Sequence, residues 1–141
     1  MVIEFTVPGQ PQGKARPRFS TQNGIMRTFT DNKTILYEKL VRTEYQRQCG
    51  DVRFADDVAL SVNILAQFDI PVSTSKKKRH EILHGRGCYT KKVDADNIAK
   101  AILDSLNGIA YRDDKQVSDL TVQKRYGEKP MVSVEIKAVE M

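Results

Sequence analysis

The sequence predicts an α+β protein of two layers, in which two helices pack on a small mixed or antiparallel sheet. Three observations carry that prediction. Two segments space their apolar residues as helices do, four alternate as strands do, and their order is strand, helix, strand, helix, strand, strand. At 141 residues the chain has a common size for one domain, and a core of that size folds without disulfides or a structural metal. No repeat, low-complexity tract or linker divides it, so residues 1–141 are read as a single domain.

Ile3, Phe5 and Val7 alternate with Glu4 and Thr6, and Pro8-Gly9 ends this first strand. The stretch to Ser20, rich in Pro, Gly and Arg, reads as a loop. From about Lys33 to Gln48, Leu36, Tyr37, Leu40, Val41 and Tyr45 trace a helical stripe, with Asp31 or Asn32 as cap and Gly50 beyond the end. Val58, Leu60, Val62, Ile64, Ala66 and Phe68 give the clearest strand, which Pro71 closes. Ile98, Ile102, Leu106 and Ile109 define a second helix that runs into the stop Asn107-Gly108. Leu120 and Val122, then Val132, Val134 and Ile136, mark two last strands, expected to form a hairpin through Gly127 and Pro130.

The composition, 40% hydrophobic and 29% charged, is that of a folded soluble protein and speaks against disorder or a fibre. The opening Met-Val-Ile-Glu-Phe-Thr-Val carries no basic leader, and no apolar run is long enough to cross a bilayer. Cys49 and Cys88 stand in no paired-ligand spacing. A reducing, cytoplasmic setting with no membrane partner is therefore expected. Net charge is +5, and it is concentrated. From Val72 to Val93, Lys76, Lys77, Lys78, Arg79, Arg86, Lys91 and Lys92 face one acid, Glu81, while Lys14, Arg16 and Arg18 follow the first strand without any. Basic runs are most often solvated loops. Two of them beside a dense acidic motif favour a polyanionic partner.

That motif is Lys91-Lys92-Val93-Asp94-Ala95-Asp96-Asn97-Ile98-Ala99-Lys100, followed by Asp104 and Tyr111-Arg112-Asp113-Asp114. Carboxylates one residue apart on an extended segment point the same way and can share a cation. With a helix starting near Asp96, Asp96, Lys100 and Asp104 fall at i,i+4 spacing opposite Ile98, Ile102 and Leu106. Such a helix spans ~18 Å, and the connection from Gly108 to Asp114 reaches roughly 20 Å, so Asp114 can return to the same place. Two or three carboxylates with an open side suit Mg²⁺, with Mn²⁺ as a plausible substitute, and a bound ion orients water at a phosphodiester. The plainer reading makes Asp96 an N-cap, Asp94 a solvated neighbour, Lys100 and Asp104 a surface ion pair, and Asp113-Asp114 a turn. A calcium loop is excluded, because Ala99 and Ser105 stand where it needs Gly and Glu.

His80-Glu81-Ile82-Leu83-His84 matches the His-Glu-x-x-His zinc-protease pattern and contains both histidines. A zinc site of that kind needs a helix held in the core and a third ligand. The flanks, Lys76 to Arg79 and Gly85-Arg86-Gly87, suit a short exposed helix instead, so the match is read as coincidence and zinc proteolysis as a remote alternative.

Taken with Pro11-Gln12-Gly13-Lys14-Ala15-Arg16-Pro17-Arg18 and Ser75-Lys76-Lys77-Lys78-Arg79, the segment from Asp94 to Val117 resembles the RusA-type crossover-junction endodeoxyribonucleases of bacteria, their phages and prophages. That resemblance implies a homodimeric α+β enzyme of DNA recombination and repair that binds four-way (Holliday) junctions and, with Mg²⁺, nicks two strands symmetrically. It assigns Asp94, Asp96 and Asp114 as catalytic and metal-binding carboxylates and Lys100 as the essential lysine. Val93 departs from the proline that many relatives carry before the first aspartate. Lys14, Arg16, Arg18, Lys76, Lys77, Lys78, Arg79, Lys91 and Lys92 are expected to hold DNA phosphates. Phe19, Phe29, Tyr89 and Tyr111 are candidates to wedge or stack at the crossover, with core packing expected for the two Phe. Two rival readings remain from the residues: a non-catalytic basic DNA-binding module, and a structure-specific nuclease that prefers flaps or forks.

Overall fold

Strands β1 (Val2–Pro8), β4 (Leu60–Asp69) and β6 (Met131–Ala138) each place an apolar residue at every second position, and those positions all turn to one face. The computed structural model describes residues 1–16, 18–29 and 31–140. Its main sheet has the order β1-β6-β4-β5, with β5 (Val117–Gly127) at one edge. β6 is antiparallel to both neighbours, whereas β4 and β5 run parallel, so the sheet is mixed. Across it, Phe5, Val134 and Ile64 lie in register and are buried. The alternate positions Glu4, Thr6, Asn63 and Glu135 line the opposite, polar face.

Two helices cover the apolar face. α1 (Asn32–Cys49) is capped by the Asp31 carboxylate, which accepts the Lys33 amide, and it buries Tyr37, Val41 and Tyr45. The Tyr45 ring meets Phe5 edge to face at 5.3 Å, an arrangement that adds to simple burial. α3 (Ala95–Ser105) buries Ile98, Ala99, Ala101, Ile102 and Leu103, and the chain leaves it through Gly108 at φ 76°. Two helices on a mixed sheet is the two-layer α+β arrangement the periodicities predict.

Three expectations are corrected. β5 and β6 are not a hairpin, because β4 lies between them. The apolar strand β6 takes the interior place, while β5, whose Leu120 is 47% exposed, goes to the edge. The connection steps over the end of β4, where Gln67 donates to the Lys129 carbonyl at 2.6 Å, and Gly127 leaves room that a Cβ would lose to the Gln67 side chain. Next, the stretch to Ser20 is not all loop. A separate ribbon, β2 (Arg18–Gln22) paired with β3 (Ile25–Phe29), turns at Asn23-Gly24 with φ of 53° and 76°. Two consecutive positive φ values are those of a type I′ turn, for which Asn-Gly is the strongest short sequence signal. Phe19 on this ribbon is 69% exposed and is no core residue. Finally, the element order and the count of two helices leave out α2 (Lys76–His84), which is the short exposed helix that the flanks of the His-Glu-x-x-His match suit; it buries no side chain and stays outside the layer.

Candidate active site

Asp94 is the N-cap of α3, extended at φ −65° and ψ 143°, and the Lys92–Val93 peptide bond before it is cis. Its carboxylate makes no capping hydrogen bond and is exposed. Asp96, also exposed, sits in the first turn, where the amide dipoles favour negative charge by ~0.3–1 kcal/mol. Because Ile98, Ala101 and Ile102 fix the helix on the sheet, Asp96, Lys100 and Asp104 follow one another along its outer side. Lys100 is exposed and Asp104 half-buried.

Asp114 opens a short 3₁₀ turn (Asp114–Gln116) after the loop that leaves α3. Its amide donates to Asn107 Oδ1 at 2.9 Å. Gln116 secures the same loop, accepting the Arg112 and Asp113 amides while its own amide nitrogen donates to the carbonyls of Ala55 and Val58. Below, Tyr111 is fully buried and donates its hydroxyl to the Leu103 carbonyl at 2.6 Å. The Asp114 carboxyl is pushed above its usual range by burial, by a hydrogen bond with Asp113 and by the charge of Asp104. Asp113 is shifted the other way, chiefly by the Lys115 amide. Asp114 therefore returns to the level of Asp104, which lies ~12 Å along the helix axis from Asp96. Among the described residues no group of three His, Cys, Asp or Glu side chains is close enough to hold a metal ion.

Lys14 comes to the other side of Asp104. The loop after β1 is fastened to both helices: the Lys14 amide donates to the Asn97 carbonyl at 3.0 Å, and the Ala15 amide to Thr34 Oγ1 at 3.3 Å. Gly13 permits this approach, since a Cβ there would lie 2.4 Å from Val93 Cγ1 and 2.9 Å from Asn97 Cβ. Lys14 Nζ is 3.1 Å from Glu38 Oε1 on α1 and 3.1 Å from Asp104 Oδ2 on α3. Burial opposes the ammonium charge, but the two carboxylates outweigh it and raise its pKa. Lys14, Arg16, Asn97, Lys100 and Asp104 line one recess of about 450 Å³. Lysine and carboxylate groups thus meet where the loop, α1 and α3 converge.

The remaining basic candidates lie outside this recess. Lys76, Lys77 and Lys78 are exposed on the first turn of α2, with Arg79 half-buried behind them, and Lys91 and Lys92 are exposed on the approach to Asp94. Pro17 and the side chain of Arg18 lie outside the described residues, as does the Phe29 side chain. His80 and His84 stack at 3.8 Å, and the Nδ1–H of His84 donates to the His80 carbonyl. They stand on an exposed helix and not on the core-held one a zinc protease requires. Of the stacking candidates, Tyr111 is sealed in the core, and Tyr89 is itself stacked on Phe68 at 3.7 Å.

Sequence reasoning did not single out Glu38 or Gln116, read Asn107 only as part of the helix stop, and paired Asp104 with Lys100 where the geometry pairs it with Lys14. No local pattern links residues 14, 38 and 104. Asn107 and Gln116 carried a usable signal, because an amide side chain beside Gly108 and after Asp113 is ordinary turn chemistry.

A two-layer α+β fold with carboxylates along the outer side of one helix and basic segments around them is the framework of a protein that works on a phosphate backbone. Residues 8–137 match the model of the family described as endodeoxyribonuclease RusA, and the chain belongs to that family. It is also 35% identical over 137 residues to the uncharacterized protein YqaN of Bacillus subtilis (strain 168), covering 97% of this chain and 96% of that protein. Membership places the chain among endodeoxyribonucleases. No described helix is long and apolar enough to cross a membrane.

Proposed function

We propose that the protein is a Mg²⁺-dependent endonuclease that resolves four-way DNA junctions by paired symmetric nicks, working as a homodimer in recombination or repair in a bacterial or phage-infected cytoplasm. The observation that carries the reading is the outer side of α3. In a chain of this family, it carries Asp96 and Lys100 at i,i+4 spacing just after Asp94 at the N-cap, and Lys100 lines a recess with Lys14 and Arg16. The donor chemistry fits a hard divalent cation, because Asp94 and Asp96 are exposed carboxylates and the Asp94 oxygens are not used in capping.

Asp94 and Asp96 would hold Mg²⁺, or Mn²⁺ in its place; Asp114 of the same chain, expected to join them, instead sits with Asp104, ~12 Å along α3 from Asp96, and does not share that ion. When bound, the ion orients a water and offsets charge at the phosphodiester. Lys100, midway along the same face, stabilises charge on the phosphate or orients that water. Arg16, Lys76, Lys77, Lys78, Arg79, Lys91 and Lys92 hold the backbone and give affinity without reading sequence.

The test compares cleavage of a labelled four-way junction with that of a linear duplex, a flap and a fork, for wild type and Asp96→Asn, with Mg²⁺ or EDTA. Paired nicks confined to the junction, lost with EDTA and in the variant, are expected. Faster cutting of flaps or forks would replace resolvase with a general branch nuclease. Tight junction binding with no cutting under any metal would leave a binding module.

A further inference from the structure

Among the described residues the β2–β3 ribbon pairs only with itself, and it exposes what a soluble protein ordinarily covers. Phe19 is 69% exposed, Met26 70% and Ile25 56%. The register sets Phe19 opposite Thr28 and Met26 opposite Thr21, so Phe19 and Met26 are diagonal neighbours on one face of the ribbon. Residues 8–30 contain four basic side chains, Lys14, Arg16, Arg18 and Arg27, and no acid. The root of the ribbon is fixed at the recess beside α3 through the Lys14 amide and the Asn97 carbonyl. Phe19 is five residues from Lys14, a reach of at most ~17 Å.

Charge complementarity selects the occupant. A ribbon bearing only positive charge suits a polyanion better than an ordinary protein surface. Exposed apolar side chains among Arg and Lys are what DNA-bending proteins insert between base steps. Unstacking costs least where the base stack is already interrupted, and a branch point is such a place. We propose that this ribbon inserts Phe19 and Met26 into the interrupted stack at the branch point of a DNA junction, with Arg16 and Arg27 on the flanking phosphates. The ribbon is then the element that recognises branching, separate from the carboxylates that carry the proposed chemistry. The inference rests on the reading of the chain as a nuclease for branched DNA.

The test places 2-aminopurine at the branch of a synthetic junction and follows its fluorescence on adding full-length protein in EDTA, with cleavage in Mg²⁺ measured in parallel. Phe19→Ser and Met26→Ser remove exposed groups, so both variants should keep the wild-type circular dichroism and melting. Wild type should raise the fluorescence as the base unstacks. The double variant should lose most of that rise and cut the junction at least about tenfold more slowly, as expected when one or more bases lose their stacking partner, while binding linear duplex within about twofold of wild type. Equal fluorescence and equal cleavage in the double variant would overturn the inference. So would a fall in sedimenting mass of the variant, which would assign the ribbon to a second copy of the chain. If wild type unstacks the probe but cuts nothing, insertion stands and the nuclease reading fails. If wild type does not bind the junction, both fall.

Discussion

Asp94 holds the N-cap of α3 by backbone conformation alone, which separates its structural role from its chemical one. Asparagine caps a helix as well as aspartate does. Asp94→Asn should therefore shift the unfolding free energy by no more than about 0.5 kcal/mol, while junction cleavage falls by about a hundredfold or more, as removal of a metal-binding or transition-state interaction does. Urea unfolding and single-turnover cleavage measure the two separately, and full activity would remove Asp94 from the site. Lys14 is the opposite case. With Glu38 and Asp104 both 3.1 Å from its ammonium, Lys14→Met leaves two half-buried carboxylates facing each other. The expected cost is about 1–3 kcal/mol, and adding Glu38→Gln should recover part of it, because partners in one network are not additive. Additive losses in the double-variant cycle would show that the bridge does not couple them. As candidates, Asp94 and Asp96 stand out in the sequence because one residue separates them, and Asp114 because the family resemblance assigns it. The Lys14 bridge does not, since it joins residues 24 and 90 positions apart that share no pattern.

At the scale of elements, α2 is anomalous. Nine residues with no buried side chain make a marginal helix, and three lysines crowd its positive end. Packing therefore gives no reason for Lys76, Lys77 and Lys78 to stand there, whereas the proposed contact with DNA phosphates would. Changing all three to Gln should leave the melting temperature unchanged or slightly raised. It should also weaken junction binding and reduce the slope of log affinity against log salt by up to about 2.7, near 0.9 for each phosphate no longer neutralised. A titration series from low to moderate salt reads this, and an unchanged slope would clear α2 of any role in holding DNA. The elements themselves were unequally legible. α1 and α3 followed from apolar spacing, and Asp31 and Gly50 bounded α1 as their chemistry requires. The ribbon escaped because Pro, Gly and Arg dominate its approach, although Asn23-Gly24 announces its turn.

For the whole molecule, alternation identified every strand of the main sheet but not their order, and the reason is physical. β5 and β6 are adjacent in sequence, which favours a hairpin, yet pairing them directly would leave β4 without β6 on its flank. Burial decided otherwise: Val132, Val134 and Ile136 are each nearly inaccessible because β6 lies between the apolar strands β1 and β4. This order predicts how the protein opens. β4 and β6 have partners on both sides, and their backbone amides should exchange only through global unfolding. β5 has β4 on one side and, among the described residues, only a short bridge at Cys88 on the other, so part of it should exchange sooner. The ribbon, a two-stranded unit of a kind that is marginal alone, should exchange fastest of all the strands. Hydrogen exchange resolved by residue tests the ranking, and β5 amides as slow as those of β4 would contradict the strand order. Adding junction DNA in EDTA should slow the ribbon by a large factor, and the exposed helix α2 as well, while the sheet keeps its rates, because those two elements pass from solvent to the proposed partner.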